Sequence, residues 1–139
     1  MKYLTLALLT GSLTTVEAAG KCRALAFSSG DESAAYQAGV LKGITSSPKL
    51  TAEDWAYDAV SGIQGGALNA VLLSEFGKGQ ESQAADKMQA FWRDATNAKL
   101  YKNWLGGVAQ GLLFEGGLYN SAPMMDFLKK EFGTATVHR

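Results

Sequence analysis

Two periods of apolar and polar positions run through this chain, and the changes of period mark its elements. Arg23 to Ser28, RALAFS, is a short apolar run, which suits a buried parallel strand better than an exposed one. Ser29 to Ser33 is polar and reads as a loop. From Ala34 to Ile44 the residues Ala35, Ala38, Leu41 and Ile44 recur at helical spacing, and Ser46, Ser47 and Pro48 end the pattern. The same order then repeats. Asp58 to Ser61 finishes a strand, Gly62 to Gly66 makes a tight turn, and Ala67 to Phe76 continues as a helix. Two strand-to-helix units in succession predict an α/β domain with a parallel sheet and helices packed on it.

Gln80 to Ala95 predicts an amphipathic helix. Ala84, Met88, Phe91, Trp92 and Ala95 share one face, while Glu81, Asp86, Lys87 and Arg93 lie elsewhere. The aromatic stripe reads as core. Lys99 to Trp104 mixes Tyr101 and Trp104 with lysines, which reads as the packing of a helix end in preference to an interfacial surface. Gly106, Gly107, Gly111, Gly116 and Gly117 break up the next stretch, and Asn120 or Ser121 caps a last helix that runs to Phe132 and stops at Gly133.

Composition narrows the partners. The 139 residues suit one domain, and 47% apolar content is enough for a core. Thirteen basic and thirteen acidic side chains cancel without a basic run, so no nucleic-acid partner is expected. At the start, MKYLTLALLTGSLTTVEA sets Lys2 before an apolar stretch from Tyr3 to Leu13, with small residues at Val16 and Ala18 ahead of Ala19. This is the pattern of a signal peptide over residues 1–18, directing the chain to the secretory pathway, and it is too short to span a bilayer. Cys22 is the only cysteine, so no internal disulfide forms; it reads as a structural, buried residue. Cys22 and His138 do not supply a zinc site, and no metal or organic cofactor is expected.

Chemistry enters at Val60 to Ala70, VSGIQGGALNA. Small residues surround Gln64 in the way that a strained strand-to-helix turn demands, a spacing that any tight turn of this kind would use. Upstream lies ALAFSSGDESAAYQAGVLKGI, Ala24 to Ile44, followed within one strand-helix interval by YDAVSGIQGGALNAVLL, Tyr57 to Leu73. Together with EGGLYNSAPMMDFLKKEFG, Glu115 to Gly133, these segments resemble the patatin-like phospholipase family. The resemblance implies a parallel-sheet acyl hydrolase fold over residues 19–139, its N-terminal part only. It also implies a glycine-rich oxyanion loop of the form G-G-G-x-[RK]-G after the first strand, a G-x-S-x-G nucleophile elbow, and a catalytic aspartate in D-G-[GA].

Set against those patterns, the chain departs at each. Ser29, Gly30, Asp31, Glu32, Ser33 and Ala34 stand in the loop, where only Gly30 matches. Gly62 and Gly66 match the elbow's outer glycines, Gln64 replaces the serine, and Gly65 holds the position whose amide often binds an oxyanion. No D-G pair occurs anywhere in the chain. Glutamine's amide has no proton that a neighbouring base could remove near neutral pH, so Gln64 is no acyl-transfer nucleophile. Asp31 and Glu32 oppose an oxyanion: one carboxylate about 4 Å away costs roughly 1 kcal/mol in water-like surroundings and ~4 kcal/mol at an effective dielectric near 20. Ser61, Ser28 and Ser29 lie near the turn or loop, but a nucleophile needs a base, and the single histidine, His138, sits beside the C-terminus. Those hydroxyls read as partners of nearby backbone groups.

Three functional readings follow: an inactive homologue that binds lipid, acyl ester or a protein partner that the sequence does not identify; an active lipid acyl hydrolase with a substitute nucleophile; and a non-functional fragment of a longer protein.

Overall fold

The computed structural model describes residues 22–138; the expected signal peptide lies outside them. Two strands, β1 (Ala24–Phe27) and β2 (Ala59–Gly62), pair in parallel with Ala24 opposite Ala59 and Phe27 opposite Gly62. Six helices accompany them among the described residues: α1 (Ala34–Thr45), α2 (Ala52–Trp55), α3 (Gly65–Ser74), α4 (Glu81–Asn97), α5 (Gly107–Phe114) and α6 (Ala122–Phe132). The strand, helix, strand, helix order predicted from periodicity is the order found. The 29–33 loop contains a 3-10 turn at Asp31–Ser33, and α3 begins two residues earlier than its apolar pattern suggests.

Where α1, α3 and α4 meet, Phe27, Leu41, Leu72, Leu73, Met88 and Phe91 form the buried cluster. α6 reaches it through Phe127 and Phe132, whose rings lie 5.4 and 5.6 Å from that of Phe91. Lys42 on α1 pairs with Asp86 on α4, and Lys87 with Glu75, so charges border the same seam. At the leading ends of the strands, Asp58 accepts from the Arg23 N–H at 2.9 Å and from Lys78. The Lys78 bond, then the Arg23 amide, holds the Asp58 carboxyl below its ordinary 3.8. With the folded value lowered, this tie is present above the ordinary value and is lost as pH falls through the folded one.

Three expectations need correction. β1 is not buried on both faces: Phe27 is buried and Leu25 half-buried, but Ala24 and Ala26 are exposed, because helices cover only one face of the sheet among the described residues. Cys22 is an exposed free thiol rather than a core residue, since it precedes the strand that enters the core. The glycine-broken stretch is not structureless, for α5 runs through it.

Close backbone approach fixes how α3 sits on β1. A Cβ at Gly66 would stand 2.3 Å from the Ser28 carbonyl oxygen and 2.7 Å from that of Phe27, neither of which can swing aside. Gly66→Ala is expected to lower unfolding free energy by about 3 kcal/mol. Gly43→Ala, in α1 with nothing within 4 Å of the added carbon, should raise it by up to about 1 kcal/mol. Urea titration of both variants checks the pair, and similar losses in the two would contradict this packing.

Candidate active site

β2 ends at Gly62, and the Ile63 N–H donates to the Phe27 carbonyl at 3.2 Å, still in the sheet's manner. The chain then reverses. Gln64 adopts φ 53° and ψ −124°, and the Gly66 N–H closes the turn on the Ile63 carbonyl at 3.0 Å. These are the angles of the first central position of a type II′ turn, where glycine is the usual residue. Gly62 and Gly65 are equally constrained. A Cβ on Gly62 would fall 2.1 Å from the Gly66 oxygen, and one on Gly65 would fall 2.6 Å from the Asp31 oxygen.

α3 starts directly from this turn, so its first N–H groups have no partner within the helix. The Gly65 N–H donates to no other described residue. Carried on a helix N-terminus, such an amide favours negative charge. Opposite it the 29–34 loop folds back with Ser33 N–H on the Gly30 carbonyl at 2.7 Å, and Asp31 takes φ 45°. Asp31 and Gly65 thus share one cleft of about 530 Å³, with Leu68, Trp92, Leu100 and Met124 along its apolar side. Ser29 and Ser33 are exposed, Ala34 is buried under Gly65, and the Glu32 side chain lies outside the described set.

A residue that sequence reasoning passed over holds these parts together. Asn69 on α3 is fully buried. Its amide donates to the Ala34 carbonyl and to Gln37 Oε1, each at 2.9 Å, and its Oδ1 accepts from the Trp92 indole at 2.7 Å. Gln37 in turn donates to the Ser28 carbonyl at 2.9 Å and to Ser28 Oγ at 3.1 Å. Loop, turn helix and α4 are therefore joined by one chain of bonds. The available signal was an asparagine inside an otherwise apolar helix, a position where its propensity is poor unless a partner compensates.

The serines are not brought to a base. Ser28 Oγ is engaged by Gln37, and Ser61 lies on the exposed face of β2. The His138 N–H donates to the Ser74 carbonyl at 2.7 Å, at the far end of α3 from Gly65, roughly 14 Å along the helix axis. Among the described residues no three His, Cys, Asp or Glu side chains converge, and no helix is long and apolar enough to cross a membrane.

The strain at Gln64 is measurable without any substrate. Backbone conformations of this kind cost about 1–3 kcal/mol for a residue with a side chain. Gln64→Gly removes that strain while adding freedom to the unfolded chain, so a net gain of about 1 kcal/mol is expected by thermal or urea unfolding. A loss of stability would contradict the turn geometry.

A scan against protein families matches the patatin-like phospholipase model over residues 25–139. No curated protein and no solved structure matches the chain. The match begins in β1 and takes in the turn at Gln64 and every helix described above. This chain is a member of the patatin-like phospholipase family.

Proposed function

We propose that this member of a lipid acyl hydrolase family holds an acyl lipid in the cleft beside Gly65 and does not cleave it. The observation that carries the reading is Gln64 itself. It stands on the strained turn, beside a free Gly65 amide, where hydrolysis would require a group able to become an anionic nucleophile. The cleft supports the binding half. At about 530 Å³ it falls within the range of ligand pockets, about 300–1,000 Å³, and its Leu68, Leu100 and Met124 suit a hydrocarbon chain. Asp31 at the same cleft disfavours an oxyanion, the remoteness of His138 leaves the nearby serines without an imidazole base, and Ser28 Oγ is bonded to Gln37 rather than to a carboxylate.

A second reading rests on the sheet. A groove of about 190 Å³ runs along β1 against Tyr36, Val40 and Ile44 of α1, and an unpaired strand edge is a template for another strand. In this reading the chain is one piece of a longer patatin-like protein whose further strands complete the sheet. Residues 1–18 act as a secretory signal in either case. The mass of the protein from its natural source separates the two: a product running from Ala19 to Arg139 favours the self-contained binder, and a longer C-terminus favours the piece.

Loss of catalysis is tested with a fluorophosphonate probe and a short-chain nitrophenyl ester. The natural sequence should neither label nor turn over. Removing the nucleophile of a serine hydrolase costs on the order of 10⁶ in turnover; Gln64→Ser restores a hydroxyl without the D-G-[GA] aspartate that would orient and deprotonate it, so it should also remain close to background. Labelling at a defined serine, abolished by its change to alanine, would establish the active-hydrolase reading instead.

A further inference from the structure

Residues 102–120 leave the core and return to it through a closed neck. The Lys102 N–H donates to the Asn120 carbonyl at 3.1 Å and the Asn120 N–H to that of Lys102 at 2.9 Å. The 99–104 segment therefore closes this excursion, and it also packs helix ends, for the Tyr101 hydroxyl donates to Met124 Sδ at the start of α6 at 3.3 Å and Tyr101 shares a cleft with Ala95 and Thr96 at the end of α4. Inside it, the Trp104 indole donates to the Gly117 carbonyl at 2.9 Å, and Gln110 accepts from the Gly106 N–H and donates to Glu115. Gly111 is buried so tightly that a Cβ would stand 2.6 Å from the Gly117 oxygen. The excursion is a built structure that uses its polar groups internally.

Its apolar groups are spent the other way. Leu105, Leu112, Leu113 and Phe114 are 107, 72, 70 and 81% exposed, and no residue of the excursion joins the core cluster. An apolar helix normally turns its stripe inward, and large apolar side chains left exposed together on one short segment mark a site of attachment. From Asn103 to Phe114 there is no charged residue. At the neck, Lys99, Lys102, Tyr101 and Tyr119 line one concavity of about 490 Å³. An uncharged apolar tip with a collar of aromatic and lysine side chains matches the layering of a membrane interface. There rings lie at headgroup level and ammonium groups meet lipid phosphates.

We propose that the 102–120 excursion docks on a lipid bilayer bearing anionic headgroups, seating Leu105, Leu112, Leu113 and Phe114 at the acyl boundary. The lysine collar is what favours lipid over a protein occupant, being complementary in charge to anionic headgroups. Tyr101 lines both the collar and the cleft that contains Gly65, so docking brings the lipid next to that cleft. The inference goes beyond the proposed function, because a chain with an empty cleft would dock equally.

Co-sedimentation with vesicles of phosphatidylcholine, alone and mixed with phosphatidylglycerol, tests it. Binding to the mixed vesicles is expected, weakening with added salt. Replacing Leu112, Leu113 and Phe114 together by serine should reduce partition at least tenfold, on the order expected from the apolar area lost, with an unchanged circular dichroism spectrum. Lys99→Ala and Lys102→Ala should each reduce binding to the mixed vesicles by about fivefold. As a direct readout, Phe114→Cys in a Cys22→Ser background, labelled with an environment-sensitive dye, should brighten on vesicle addition, and Tyr36→Cys on α1 should not. Absence of binding to either vesicle, retention of binding by the serine variant, a dye at Phe114 that stays dark on bound protein, or self-association that disappears in the serine variant without any vesicle binding would each overturn the proposal.

Discussion

Asn69 is a polar side chain with no contact with water, placed where three helices and a loop must agree on one geometry. Its amide serves α1 through Ala34 and Gln37, and its oxygen is held by Trp92 of α4. A buried donor or acceptor left without a partner costs about 1–3 kcal/mol, so displacing any of these elements orphans several groups at once. Apolar packing alone is more forgiving, because hydrophobic contacts are not directional. The bond chain gives the cleft its specificity of shape: through Gln37 it grips Ser28, and Ser28 is the residue on which Gly66 rests.

That arrangement separates scaffold from chemistry. The turn at Gln64 is held by the Gly66 to Ile63 bond and by glycines that admit neighbouring backbone, none of which involves the Gln64 side chain. The strained geometry therefore persists with a residue that is unable to attack an ester. The same scaffold leaves a half-buried amide at the head of α3, in an apolar-walled cleft that Asp31 also lines. In the proposed function this is where the ester end of an acyl lipid is recognised through hydrogen bonding, while the turn offers no side chain able to attack it.

Much of the strand and helix order was legible because periodicity reports it directly: α1, the turn at Gly62 to Gly66, and α4 with Met88 and Phe91 inward all follow from spacing. The half-open sheet was hidden because the outward residues of RALAFS are alanines, which read as apolar on either face. α5 was hidden by Gly111, a helix breaker by propensity that is required where the helix passes under Gly117. Asn69 had no legible role, since Gln37 and Trp92 lie 32 and 23 residues away in sequence and only the fold brings them together. The spread of exposed leucines about α5 likewise depends on which way the excursion turns, and no local pattern states that.

Binding without cleavage is the claim on which the account turns, and one titration addresses both halves. A fluorescent long-chain acyl ester is added to the purified chain, and bound probe and released acid are followed in the same sample. The account predicts saturable binding at one site, lost in a Leu100→Asp variant that charges the cleft wall, with released acid no higher than in buffer. Acid released in proportion to protein and abolished by the same variant would contradict it, as would an absence of saturable binding.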